Sequence, residues 1–149
     1  MRHIALQAKI AGRSAADTFA SLCNFEQYPV CASAVRSLTI LERNGDRMVT
    51  RWEVAFHTGT LRWTEEDHIR VLADRSVIQF RQLEGDVESF AGEWGVRDED
   101  YGCSLWFTAE FDIGIPSLDR TLGPIAEQML RQNAKSIVEG LLGESVEIL

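Results

Sequence analysis

Apolar residues recur at every second position through most of this chain, a period that predicts strands with one buried face. Residues 3–11 place Ile4, Leu6, Ala8 and Ile10 on one side of a first strand. Ser14-Ala15-Ala16-Asp17 then has the spacing of a capping box and opens a short helix to about Leu22. Asn24 is placed to cap a second helical turn, which Pro29 stops. From Val35 to Ile113 strand follows strand, punctuated by Asn44-Gly45, Thr58-Gly59, Ala73-Asp74, Gly85-Asp86 and Glu99-Asp100. Pro116-Ser117 begins a long helix to about Leu142, with Pro124 an irregularity near its first turns. No repeat or linker interrupts the pattern, so residues 1–149 read as one domain. The expected fold is α+β: a seven-stranded curved antiparallel sheet wrapped around a long C-terminal helix, with two short helices after the first strand. One sheet face must be buried, and the long helix is the only large element available to cover it.

Which face is inside follows strand by strand. In the last strand Tyr101, Cys103, Leu105, Phe107, Ala109, Phe111 and Ile113 share the apolar side. Before the Thr58-Gly59 turn, Met48, Trp52, Val54 and Phe56 share a face opposite Arg51, Glu53 and His57. A two-residue turn there pairs Phe56 with Leu61, Val54 with Trp63 and Trp52 with Glu65, and sets Arg51 opposite Glu66 as a surface ion pair. The next strand then turns Leu61, Trp63, Glu65, Asp67, Ile69 and Val71 inward, while Arg62, Thr64, Glu66, His68 and Arg70 face solvent. Two carboxylates project into an otherwise apolar interior. Ile78 and Phe80 point inward in the following strand, then Phe90, Gly92, Trp94 and Val96. That match needs an odd connection, a three-residue Glu84-Gly85-Asp86 loop with Gly85 in the left-handed position. The long helix carries an apolar stripe of Leu118, Leu122, Ile125, Met129, Ile137 and Leu141, with Asn133 on it and Glu127, Arg131, Lys135 and Glu139 on the solvated side. A polar Asn over a sheet that presents inward acids indicates a cavity, because a sealed core would leave these groups poorly satisfied.

Composition narrows the function. The 149 residues carry 15 basic and 23 acidic side chains, a formal net charge of −8, and 45% are hydrophobic. An acid excess argues against nucleic acid and against stable association with an anionic membrane, since both need a basic footprint. No apolar run approaches the length of a bilayer span, and the N-terminus alternates in polarity where a signal peptide would be continuously apolar, so a cytoplasmic location is the default. Cys23, Cys31 and Cys103 show no CxxC spacing and read as small apolar packers, and His3, His57 and His68 are too far apart for a metal-ligand pair. No metal is expected.

Four segments in order carry a resemblance: Asn24-Phe25-Glu26-Gln27-Tyr28-Pro29, Leu61-Arg62-Trp63-Thr64-Glu65-Glu66, Glu84-Gly85-Asp86 with Phe90-Ala91-Gly92-Glu93-Trp94, and the helix around Asn133. Over residues 3–142 the chain resembles the helix-grip superfamily of START lipid-binding domains, the major birch-pollen allergen and bacterial polyketide aromatase/cyclases. It looks most like the polyketide cyclase/dehydrase and coenzyme-Q-binding-like group. The resemblance implies a helix-grip fold with a deep cavity, no cofactor, and a small hydrophobic or polyketide substrate, free or tethered to an acyl carrier protein. In the aromatase/cyclases the cavity folds a poly-β-ketone, directs aldol closure and assists dehydration. Substrate contact is then expected at Tyr28, Trp52, Trp63, Phe80, Phe90, Trp94, Met129 and Asn133. The sequence departs from that group where its pocket arginine and tyrosine map onto Ile69 and Val35. Glu65 and Asp67 are the acids present instead. A carboxyl among aromatic side chains, beside a second one, has its charged form disfavoured, which suits general acid/base chemistry. The competing reading places both at a hydrated rim or paired with an arginine such as Arg36. A second functional class stays open beside the enzyme: a non-catalytic module that binds or carries a lipid, isoprenoid quinone or aromatic metabolite.

Overall fold

The computed structural model describes residues 1–56 and 59–149. Strand β1 (Arg2–Ala11) buries Ile4, Leu6, Ala8 and Ile10 as its alternation requires. Helix α1 (Ala15–Cys23) starts at Ser14, whose hydroxyl accepts from the Asp17 backbone N–H. The second short helix is not stopped by Pro29. A 3-10 turn (Phe25–Gln27) runs into α2 (Tyr28–Cys31) with Pro29 in its first turn, where a missing N–H costs nothing, and the Asn24 side chain makes no capping bond.

Six strands follow as a meander: β2 (Val35–Asn44), β3 (Arg47–Phe56), β4 (Gly59–Val71), β5 (Ser76–Gly85), β6 (Ser89–Glu99) and β7 (Gly102–Asp112). Strand β1 pairs with β7, and a short β8 (Val146–Ile148) pairs along the other side of β1. The sheet therefore has eight strands, ordered β2-β3-β4-β5-β6-β7-β1-β8, one more than the expected seven. Three residues after the long helix suffice, because β1 otherwise leaves an open edge of backbone groups.

Helix α3 (Pro116–Leu142) lies across the concave face, the helix-grip arrangement, and ends where Gly143 adopts φ 71°. Its buried face is Gly123, Ala126, Leu130, Asn133, Ala134, Ile137, Val138 and Leu142. The expected stripe is displaced: Leu118 is 40% exposed, while Leu122, Ile125, Met129 and Leu141 are only half-buried flanks. Small residues occupy the N-terminal half of the contact because Arg2 crosses there. The Arg2 guanidinium donates to both carboxylate oxygens of Asp119 (2.8 and 3.1 Å) and to Glu127 (3.0 Å). A Cβ on Gly123 would stand 1.9 Å from Arg2 Nε, so a larger residue would displace this tie between β1 and α3.

Further expectations change. The β3–β4 register pairs Phe56 with Gly59, Val54 with Leu61 and Trp52 with Trp63, two residues from the predicted one. Arg51 consequently faces Thr64, and Glu66 is bonded by Arg47 at 2.7 Å. His57 and Thr58, with their expected turn and solvated-loop readings, fall outside the described residues. Gly85 is not left-handed: it pairs with Trp63 inside β5, where a Cβ would lie 2.5 Å from Trp63 Cβ. The β5–β6 connection is Asp86–Glu88 instead. Val71, expected to face inward, pairs with Ser76 at the hairpin end of β4 and is 74% exposed. Cys103 is buried against the Thr18 hydroxyl (3.2 Å), but Cys31 is exposed and does not act as a core packer.

Candidate functional site

The inward faces of β3–β7 are paved with aromatic rings because alternate positions of each strand carry them. Trp52 and Trp63, directly paired across β3 and β4, stack nearly parallel with centroids 5.5 Å apart. Phe90 meets Trp63 edge-on at 5.3 Å and Phe80 at 5.2 Å, and Trp94 leans on Phe107 at 4.5 Å. Between this surface and α3 lies a cavity lined by Trp52, Trp63, Glu65, Phe80, Phe90, Trp94 and Phe107 from the sheet. Leu130, Asn133, Ala134 and Ile137 close it from the helix. Its free space is about 40 Å³ for the centre of a water-sized sphere. At roughly 10–15 Å³ per water, that holds a few waters and no extended chain. A larger ligand enters only when α3 or the lining side chains move outward.

The inward acids are real and deep. Glu65 is 4% exposed and Asp67 1% exposed, and among the described residues no arginine reaches either; Arg36 bonds Thr60 instead. Glu65 lines the cavity while Asp67 stands behind it. Trp63 Nε1 donates to Glu65 Oε1 at 2.6 Å, and Thr50 Oγ1 donates to Asp67 Oδ2 at 2.6 Å. Trp52 Nε1 donates to the same Thr50 oxygen at 2.9 Å, so the single hydroxyl hydrogen is directed to Asp67. The two carboxyls bond each other. Burial pushes the Glu65 carboxyl well above the usual carboxyl range, and the Asp67 charge adds to it. Asp67 is also raised by burial, but hydrogen bonds from Glu65 and Thr50 oppose this. Both environments favour a proton held within the pair, more strongly on Glu65 than on Asp67. On the outer face of the same strand Glu66 behaves oppositely: bonded by His68 and Arg47, its carboxyl falls to about 2.

Of the residues expected to meet substrate, Trp52, Trp63, Phe80, Phe90, Trp94 and Asn133 border the cavity with Glu65. Two do not. Tyr28 is fully buried behind Trp52, 5.6 Å ring to ring, with its hydroxyl donated to the Leu22 carbonyl at 2.5 Å. Met129 is half-buried on the flank of α3, and the next residue, Leu130, takes its place. Asn133 is partly engaged already: its Nδ2 donates to the Ala55 carbonyl at 3.1 Å, tying α3 to β3. Sequence reasoning missed Thr50, although it lies between Met48 and Trp52 on the inward parity of β3; a hydroxyl at an inward position was the available signal. Among the described residues no cluster of three or more His, Cys, Asp or Glu could hold a metal ion, and no helix is long and apolar enough to cross a membrane.

The Thr50 relay gives a direct expectation. Thr50→Val keeps the shape but leaves Asp67 Oδ2 without its donor and Trp52 Nε1 without its acceptor. Orphaning buried polar groups costs about 1–3 kcal/mol each, so for the two groups a loss of about 2–6 kcal/mol is expected in urea unfolding. Thr50→Ser, which keeps the hydroxyl, should recover most of it.

Residues 12–138 match the model of the family described as polyketide cyclase / dehydrase and lipid transport. The chain belongs to that family. Among curated proteins no sequence matches. Solved structures show the same fold. The protein TTHA0849 from Thermus thermophilus superposes with TM-score 0.84 at 20% identity, covering 97% of both chains. The Zhui aromatase/cyclase from Streptomyces sp. R1128 gives 0.79 at 21% identity over 97% of this chain and 93% of its own. A STAR-related lipid transfer protein from Xanthomonas axonopodis gives 0.72 at 10% identity over 95% and 85%. Proteins of this fold therefore include both aromatase/cyclases and lipid-transfer proteins.

Proposed function

We propose that this protein is a cofactor-independent polyketide cyclase/dehydratase of the aromatase type, with Glu65 as its catalytic acid/base and Asp67 as the positioning carboxyl behind it. The observation that carries the reading is a buried carboxyl pair without a cation among the described residues, with Glu65 on the wall of an aromatic cavity and Asp67 behind it. With the shared proton moved onto Asp67, the Glu65 carboxylate takes a proton from the methylene between two ketones. The enolate carbon attacks a distant carbonyl, a C–C bond forms, and Glu65 returns the proton to the new alkoxide. In dehydration Glu65 removes a second α-proton and delivers it to the departing hydroxide, so one water leaves and the pair is restored. Folding the chain between Trp63, Phe90 and Trp94 contributes as much as the proton transfers, because it prepays the entropy of ring closure. The substrate is a poly-β-ketone, free or on an acyl carrier protein.

A second reading, carriage of a hydrophobic ligand without turnover, is favoured by a lining that is apolar apart from Glu65 and Asn133. Reconstitution with a minimal polyketide synthase separates the two. Addition of the protein is expected to turn a spread of spontaneously cyclised products into one dominant aromatic product. An unchanged product spread, with lipid or quinone co-purifying with the protein, would sink the enzymatic reading.

A further inference from the structure

The carboxyl pair has more acceptors than the protein supplies with donors. Two carboxyl groups offer several lone-pair sites each. The chain brings to them the Trp63 indole N–H and the Thr50 hydroxyl. Charge is short in the same place. Among the described residues no Arg or Lys lines the cavity, and the basic side chains of this sheet region, Arg47, His68 and Arg81, gather on the outer face around Glu66 instead. The Glu65–Asp67 pair therefore turns carboxyl oxygens toward the cavity without a counter-ion. The remaining walls are not neutral bystanders: Trp52, Trp63, Phe80, Phe90, Trp94 and Phe107 turn aromatic rings toward the same space. Ring faces attract cations, most strongly where water is excluded.

A group that supplies three donors and one positive charge, and that profits from aromatic walls, is a primary ammonium. We infer that the cavity is a binding site for a small aromatic or alicyclic ligand bearing a protonated amine, which donates to Glu65 while its ring packs among the tryptophans. The same arrangement rejects carboxylates, since an anion would find no donor of its own and would face Glu65 and Asp67. Free fatty acids are thereby poor occupants although the lining is apolar. This inference shares with the proposed function only the premise that the cavity admits a ligand, and it stands whether or not aldol closure occurs there.

Three probes of matched shape test it at neutral pH: benzylamine, benzyl alcohol and benzoate, titrated against the whole protein by calorimetry and by the fluorescence of the tryptophans. Benzylamine is expected to bind at least about tenfold more tightly than benzyl alcohol, and benzoate more weakly than either. Glu65→Gln combined with Asp67→Asn, which leaves no carboxyl in the pair, should bring the amine-to-alcohol ratio close to one, with a far-ultraviolet spectrum unchanged from wild type. The wild-type comparison decides the matter even if that variant does not fold. Alcohol binding as tight as amine binding, or preferred binding of benzoate, overturns the charge inference and leaves the cavity as a ligand site. Saturable binding of none of the three overturns the inference together with the premise that it shares with the proposed function.

Discussion

Glu65→Gln is expected to abolish directed cyclisation, lowering the yield of the dominant aromatic product by about 10²-fold or more in the reconstituted synthase, the range that positioned acid/base groups contribute. Glutamine keeps the geometry. Its amide oxygen still accepts from Trp63 and its NH₂ donates to Asp67, in place of the Glu65 hydroxyl, so the cavity wall is preserved. Only the exchangeable proton is lost. Asp67→Asn distinguishes a positioning role from a merely structural one. The Asp67 charge helps hold the Glu65 carboxyl high, so its removal lets Glu65 ionise at lower pH. The base-dependent limb of the pH–yield profile should move to the acid side while the variant stays folded. A profile that keeps its position, or a Glu65→Gln protein with wild-type yield, would remove both residues from the mechanism.

Much of this site is legible in the sequence because strand alternation fixes parity independently of register. Glu65 and Asp67 point inward whether Trp52 faces Glu65, as a two-residue turn would set it, or Trp63, as it does: the two registers differ by two residues, which restores the same face. What parity does not reveal is who bonds whom. The tryptophan stack and the Trp52–Thr50–Asp67 relay depend on the true register and on a threonine that an apolar-pattern search passes over. The helix misleads for a different reason. Hydrophobic bulk points to Leu118, Leu122, Ile125 and Met129, but the close approach of Arg2 and the sheet selects Gly123, Ala126 and Leu130 at the neighbouring angle. Bulk sets an apolar stripe only within about one residue, and a cavity-lining set needs better than that. The closing strand β8 is hidden because three residues carry no periodic signal.

Stability should be greatest near pH 5 and fall as pH rises toward 8, the reverse of a protein whose carboxyls are all ion-paired. The sign follows from the burial of Glu65. Its carboxyl is held well above the ordinary value of 4.5 in the folded chain. Above about pH 4.5 the unfolded chain releases this proton and the folded chain keeps it. Unfolding then gains about 1.4 kcal/mol for each unit of pH until the folded carboxyl itself ionises. Asp67, also raised by burial, adds in the same direction. The acid limb has other owners. Glu66, lowered to about 2 by His68 and Arg47, and Asp119, lowered by Arg2, stabilise the fold above the ordinary carboxyl range, and that contribution is lost as pH falls through it. Thermal melts at pH values from about 3 to 8 should therefore trace a dome. Glu65→Gln carries no proton to lose at this position, so its melting temperature should exceed that of wild type by a margin that widens with pH above about 5. The acid limb should be unchanged, because Glu66 and Asp119 lie elsewhere. A margin that stays constant with pH would show that Glu65 is ionised in the folded protein. It would thereby withdraw the stored proton on which the acid/base chemistry depends.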